Sequence, residues 1–373
     1  MRILFITRKH PPSVGGMQNL SYNLIQNLEE QGKKRGDKID AIILRKSQWH
    51  LIWWLPYALA RGLIAARRAD IVHLGDPLLS LIGWLAKIFW RKKVVVTVHG
   101  LDVTFPFFLY QGYLKLFARD FDRYVCISSY AKKEAEIKGL SPCVVIPVGV
   151  DFKKSNFKFQ ISKVSKENFC QKHHLPQDRF YLLTVGRLVK RKGVGWFIKN
   201  AMPALPREMI YLVIGDGAER ENIQYLIKEQ KLQDRVYFLG KITEEELKTV
   251  YALSDLFIMP NVKVEGDAEG FGLVALEAAL NSLPVIASRL EGICDAIAHN
   301  QNGILAESRN AASFKREILK FFRDDQYRQR FGREAAVFTT ANYNWSNIAE
   351  RYYQEFMKIY TSHSKFGLGY NFK

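Results

Sequence analysis

The feature that most limits the fold is a recurring local pattern: a short apolar run, a loop carrying glycine, then a helix-forming segment. Residues 2–7 (Arg-Ile-Leu-Phe-Ile-Thr) lead into a loop of breakers, residues 10–16, that ends in Gly15 and Gly16. A helix is expected from about residue 17 to 30. Residues 93–98 end at His99, Gly100, Leu101 and Asp102; residues 180–185 end at Gly186 and Arg187. Residues 209–214 run into Gly215, Asp216 and Gly217, and residues 256–259 into a loop that reaches Gly270, Phe271 and Gly272. Residues 39–44, 70–74, 123–127, 144–148, 236–239 and 284–288 read as further strands. Apolar runs this short, with no polar alternation, suit strands buried on both faces, and strands alternating with helices build parallel sheets covered by helices. Ligands of such sheets bind at the carboxyl ends of the strands, so the glycine loops are where function is expected.

A chain of 373 residues exceeds one compact core and suits two domains. The divisions expected are residues 1–152, a polar, Lys-rich linker at 153–178, and residues 179–346. The chain carries 55 basic against 37 acidic side chains, a net charge of +18. An excess of that size implies an anionic partner: nucleic acid, an acidic lipid surface or a phosphorylated substrate. Cys126, Cys143, Cys170 and Cys294 are scattered, which points to reduced thiols in a cytosolic setting rather than a disulfide framework or a metal site. The apolar runs at 51–60 and 78–90 are broken by Arg61 and Lys87. Both fall short of the roughly 20 residues a spanning helix needs, and no signal peptide is read at the start, so the chain is not expected to be integral to a membrane.

The richest stretch is 269–277. Two glycines one residue apart let the backbone turn tightly, and Leu273 and Val274 begin a helix whose unpaired amides favour a phosphate. Glu269 stands before the turn and Glu277 two turns into the helix. Carboxylates beside an anion site need hydrogen-bond donors, which sugar or ribose hydroxyls supply. After residues 180–185, Arg187 and Lys192 flank the interval between Gly186 and Gly193 and could clamp a diphosphate, although a solvated basic loop has the same appearance. Gly15 and Gly16 allow a second close approach or a plain turn. His99 and Asp102 stand where a parallel strand opens into a loop, and Ser128 can cap the helix that follows. Gly215-Asp216-Gly217 is not a dinucleotide fingerprint, because Arg220 stands where the third glycine belongs. Asp120-Phe121-Asp122 reads as a pair of solvated carboxylates on the surface, and no metal is expected.

Taken together, these motifs resemble the retaining glycosyltransferases of family 4, over nearly the whole chain. The Glu269/Glu277 pair is the most specific element of the likeness. It implies the GT-B fold: two Rossmann-like, doubly wound parallel-sheet domains facing across a cleft, with a C-terminal helix, about 347–373, crossing back to the first. It also implies a nucleoside-diphosphate sugar as co-substrate, with no further cofactor. By motif position Arg187 and Lys192 would bind the diphosphate beside Gly186, and the amides of Gly270, Phe271, Gly272, Leu273 and Val274 would assist. Glu277 would bind the ribose and Glu269 the sugar hydroxyls. Gly15 and Gly16 would close on the diphosphate, and His99 would lie near the sugar, with Asp102 and Ser128 on the acceptor side. Where family members often carry glycine before Gly292, this chain has Glu291, which leaves that loop's contacts open.

Aromatic residues crowd with cations at 49–68 and 105–119. Each ring alone suits a core; together with the net charge they favour an anionic membrane surface and a lipid-linked or glycan acceptor. The expectation is a cytoplasmic enzyme held peripherally on the inner face of the cell membrane. A basic nucleic-acid-binding protein and a silent sugar-nucleotide binder are the competing readings; the first lacks a recognisable motif, and the second leaves both glutamates unexplained.

Overall fold

A computed structural model describes residues 1–12, 15–45, 48–151 and 161–362. Ser13 and Val14 of the first glycine loop, residue 152 of the expected first domain, the 153–160 part of the expected linker and the 363–373 part of the expected C-terminal helix lie outside the described residues. The chain divides into two compact units, residues 1–149 with the segment from Trp345 onward, and residues 150–344.

The first unit runs β1 (Arg2–Thr7), α1 (Gly16–Arg35), β2 (Lys38–Ile43), α2 (Leu51–Ala66), β3 (Ile71–Leu74), α3 (Ser80–Trp90), β4 (Lys93–Val98), α4 (Leu101–Thr104), α5 (Phe108–Phe117), β5 (Arg123–Cys126), α6 (Ser129–Ile137) and β6 (Cys143–Val145). Its strands form one sheet in the order β2-β1-β3-β4-β5-β6, every pair parallel. Ile3, Phe5 and Ile6 are fully buried beside Ile71, Val72 and Leu74. That is what unalternating apolar strands require when helices cover both faces.

The second unit repeats the plan: α7 (Lys163–Lys172), β7 (Phe180–Val185), α8 (Val194–Asn200), β8 (Met209–Ile214), α9 (Arg220–Glu229), β9 (Val236–Gly240), α10 (Glu244–Leu253), β10 (Leu256–Met259), α11 (Leu273–Leu280), β11 (Val285–Ser288), α12 (Ile293–Ala296), β12 (Ile304–Ala306), α13 (Ala311–Arg323) and α14 (Asp325–Asn342). The sheet order is β12-β11-β10-β7-β8-β9, again all parallel. Strand order reverses between β7 and β10, which opens a crevice at their carboxyl ends.

Two elements differ from the sequence reading. Part of the expected linker is the helix α7, whose Phe169 and Cys170 are buried in the second core; two apolar anchors among lysines are too few to show a period. β12 was not anticipated, because three residues (Ile-Leu-Ala) are too short to separate from loop.

α15 (Trp345–Thr361) returns to the first unit and packs on α1, where Arg35 meets Glu350 at 2.6 Å. It buries Ile348, Tyr352, Phe356 and Ile359, spaced at three and four residues as one helix face requires. Tyr352 Oη lies 3.3 Å from Thr97 Oγ1, which lies 2.9 Å from His73 Nε2. Burial, then the charge of His99, pushes His73 down to about 3, so this histidine is neutral in the core.

Two outcomes follow. Phe356→Ala is expected to cost about 3–5 kcal/mol, read as a lowered urea midpoint. The second concerns pH. The unfolded chain protonates His73 near its ordinary 6.5 while the folded chain resists until about 3. The unfolded state therefore binds more protons in that window, and stability falls as pH drops through it. Urea titrations from neutral to acid pH should show that slope, and His73→Phe should flatten it.

Candidate active site

The crevice between β7 and β10 gathers most of the chemistry. β7 ends at Gly186 and Arg187, and a turn at Lys190–Lys192 follows. Gly193 then takes a left-handed φ of 68°, and a Cβ there would stand 1.9 Å from the Pro260 carbonyl oxygen. Only glycine lets the turn lie flat against the loop after β10, where the Val262 amide donates to the Arg191 carbonyl at 2.9 Å. The same close approach recurs at Gly292, where a Cβ would meet the Gly270 carbonyl oxygen at 2.0 Å. The backbones of three loops are thus locked together around one spot.

That spot is Glu269. Its Oε2 lies 2.6 Å from Lys192 Nζ and 3.5 Å from Arg191 Nε, and accepts from Asn261 Nδ2 at 3.0 Å. Its amide donates to Glu291 Oε2 at 2.5 Å, and its carbonyl accepts from the Gly292 amide at 3.1 Å. Arg191 is itself held by Asp267 at 2.8 Å. Both Lys192 and Glu269 are 12% exposed. Burial alone would raise the Glu269 pKa, but Lys192, Arg191 and the hydrogen bonds outweigh it and hold the carboxylate below its usual range. It is therefore a largely buried anion, and its Oε1 accepts from no described residue.

Three residues further on, Gly272 adopts φ 97° and caps the start of α11. No backbone carbonyl of the described residues takes the Leu273 and Val274 amides, so the positive end of the helix is open. Arg187 is exposed and forms no ion pair with the described residues. The geometry thus joins Lys192 with Glu269 and the loop that carries Gly270, Phe271 and Gly272, while Arg187, on the loop after β7, stays exposed.

Glu277, half-buried on α11, lines a cavity of about 300 Å³ with Thr243, Leu247, Lys248 and Tyr251. The cavity is walled by α10, whose start is fixed by a Thr243/Glu246 capping box. The Tyr251 hydroxyl is buried there without a protein partner. Burial, then the charge of Glu277, raises its pKa well above the ordinary value, so it stays a neutral donor.

In the first unit His99 Nε2 lies 3.0 Å from the Gly75 carbonyl oxygen, and the His99 amide donates to both Asp102 oxygens at 3.0 and 2.9 Å. Burial raises the Asp102 pKa against the opposing pull of His99. Asp102 shapes the turn that presents His99. Ser128 is fully buried, and its Oγ accepts from the Ala131 amide at 3.1 Å as a helix cap. Gly15 caps α1, which Gly16 opens. Asp122 accepts from the Val94 amide and pairs with Lys87 and Lys93, so it bridges structural elements and is not the solvated surface carboxylate expected. Among the described residues no three His, Cys, Asp or Glu side chains gather as a metal site would need.

Sequence reasoning gave no role to Arg191, Asn261, Asp267 or Tyr251. Arg191 and Asn261 carried a usable signal, adjacency to Lys192 and to the end of β10. Glu291, whose presence left the loop's contacts open, takes a left-handed φ of 47° and turns its carboxylate to the Glu269 amide.

Comparison with known proteins bears on the family and the fold. The model of Glycosyltransferase Family 4 matches residues 14–154, and that of Glycosyl transferases group 1 matches residues 165–338. A GDP-mannose-dependent alpha-(1-6)-phosphatidylinositol monomannoside mannosyltransferase of Mycobacterium tuberculosis is 23% identical, over 94% of this chain and 96% of its own. An uncharacterized glycosyltransferase of Methanocaldococcus jannaschii is 24% identical over the same shares. Among solved structures, Anabaena HepE in complex with UDP superposes with a TM-score of 0.75 at 18% identity, over 96% of this chain and all of its own. Sucrose-phosphate synthase of Thermosynechococcus elongatus does so at 0.74 and 21%, over 97% of this chain and 99% of its own. The fold is GT-B.

Breaking the buried pair tests the site's electrostatics. Lys192→Met leaves Glu269 with weaker compensation and should cost roughly 3 kcal/mol. Adding Glu269→Gln should return most of that loss in urea denaturation.

Proposed function

The chain belongs to glycosyltransferase family 4, and on that premise we propose that it moves a hexose, such as mannose or glucose, from a GDP- or UDP-linked donor to an acceptor hydroxyl with retention. The observation that carries this reading is the buried Lys192–Glu269 pair beside the open amino end of α11 at a strand-order switch point. In the proposed step the bond between the anomeric carbon and the diphosphate oxygen breaks, and the acceptor oxygen bonds to that carbon from the same face. The departing diphosphate gains negative charge, which Arg187, Lys192 and the amides of Leu273 and Val274 stabilise from fixed positions without a metal ion. The acceptor's proton passes to a phosphate oxygen. Glu269 Oε1 accepts from sugar hydroxyls, and Glu277 with the neighbouring Tyr251 binds the ribose. Within the first unit, Asp102 orients His99 through the turn that follows β4.

The donor base rests on the relatives, one named for GDP-mannose and one solved with UDP. The acceptor we propose is a lipid-linked or cell-envelope glycan met at the inner face of the cell membrane, and not a nucleic acid.

Incubation with UDP- and GDP-sugars in the presence of a chelator, with nucleoside diphosphate release as readout, tests the reaction. Arg187→Ala should lower turnover at least tenfold while changing stability by no more than about 0.5 kcal/mol, because the side chain is exposed and unpaired. Unchanged turnover removes the clamp, and release that ignores added acceptor marks a binder that hydrolyses its donor.

A further inference from the structure

The aromatic clusters are the motif that the donor site leaves unexplained, and the structure moves most of their rings out of the core. On α2, Trp49 (just before the helix) is 89% exposed, Trp53 81% and Ile64 68%, while Trp54 and Ala58 face inward and are buried. Exposed positions at 49, 53, 57, 60, 61 and 64 are one face of a helix, and that face is apolar up to Arg61. Phe89 on α3 is 61% exposed, Phe108 on α5 74% and Leu116 65%. Side-chain contacts tie these helices into one surface. Trp84 of α3 meets Phe117 of α5 edge-on at 5.2 Å, and the Arg67 guanidinium lies 5.6 Å over the Trp90 ring. The exposure is not that of a loose chain: Gln111 Nε2 donates to the carbonyls of Val103 and Phe105, and Tyr110 Oη donates to the Asp102 carbonyl at 2.7 Å.

Charge selects the occupant. Between Arg45 and Arg119 the acidic residues are Asp70, Asp76 and Asp102. None is exposed: Asp76 is fully buried against Arg8, Asp70 accepts from the Arg2 amide, and Asp102 closes the His99 turn. The surface therefore offers Arg61, Arg67, Arg68, Lys115 and Arg119, all exposed, with no exposed carboxylate among residues 45–119. A second copy seated on this face would set these cations against their own images. An anionic bilayer supplies both an apolar layer for the rings and phosphates for the arginines.

We infer that the α2–α3–α5 face of the first unit is an interfacial membrane-docking surface selective for anionic lipid, and that it holds the His99–Asp102 turn at the bilayer. The second clause follows from connectivity. The exposed segment from Phe105 to Phe108 leaves directly from α4, which begins beside His99, and Tyr110 pins it to Asp102. No described helix is long and apolar enough to cross a membrane, so the surface lies on the bilayer rather than through it. The inference deepens the proposal of a lipid-linked acceptor and rests on it only for the acceptor's identity.

The test is flotation of the full chain with vesicles of phosphatidylcholine, with and without phosphatidylglycerol. Co-flotation is expected with the anionic vesicles at low salt. Trp53→Ser combined with Phe108→Ser should abolish it, with the thermal unfolding curve unchanged because both rings are exposed. Arg61→Gln, Arg67→Gln and Arg68→Gln together should weaken anionic binding on the order of a hundredfold. Absence of co-flotation at low salt overturns the inference. So does a dimer that Trp53→Ser dissociates while lipid binding persists, since that assigns the face to a second copy. Donor turnover is measured on the same samples. Flotation without turnover leaves the surface standing and removes the transferase reading; turnover without flotation does the reverse.

Discussion

The second unit is organised around a charge that cannot leave. Glu269 is largely buried, with Lys192 at 2.6 Å and Arg191 at 3.5 Å, and removing a carboxylate from water is tolerable only if such partners are fixed beforehand. They are fixed by backbone: Gly193 lies against Pro260 and Gly292 against Gly270, at separations that a Cβ would forbid. Glycine here does more than permit a turn. It brings three loops close enough for their side chains to share one carboxylate. The parallel sheet contributes the rest, since the reversal between β7 and β10 leaves the crevice into which those loops open.

The plan of the fold was legible because unalternating apolar runs such as Ile3–Ile6 and Leu212–Val213 have few other uses in a chain of this composition. Short or sparsely apolar elements were not. β12 has three residues, and α7 has two buried anchors among lysines, so neither displays a period. The candidate site was legible where function needs glycine beside charge, as at 269–277. It was opaque where the partner is distant in sequence and ordinary in type. Asn261 and Asp267 could be any polar loop residues until the fold brings them to Glu269 and Arg191. Tyr251 reads as a core aromatic, which it is; only the fold shows that its buried hydroxyl lacks a partner and feels the charge of Glu277.

Glu291 illustrates how a departure from a family pattern is absorbed. A residue with a side chain at φ 47° bears a strain that glycine would not. The structure compensates through the side chain itself, because the carboxylate accepts the Glu269 amide. Burial, aided by the nearby Glu269 charge, raises the Glu291 pKa although that hydrogen bond lowers it. The two glutamates therefore differ in character: one is held as an anion by cations, and the other is pushed toward its neutral form. The repulsion between neighbouring carboxylates is thereby taken up by Glu291, whose pKa rises, and not by Glu269, which its cations hold.

The same accounting shows which cation remains for a substrate. Arg191 is engaged by Asp267 and Lys192 by Glu269, so each carries a positive charge already matched by a protein anion. Arg187 is matched by none of the described residues. An incoming diphosphate would therefore meet one uncompensated guanidinium and the bare amides of α11, with Lys192 between it and Glu269. In the proposed reaction that order matters. As the diphosphate leaves, its growing charge pulls on Lys192, and Glu269 loses part of its partner at the moment when sugar hydroxyls become more acidic and donate to it more strongly. In that proposal a single lysine would couple the leaving group to the sugar, which a cation paired with only one of them would not do.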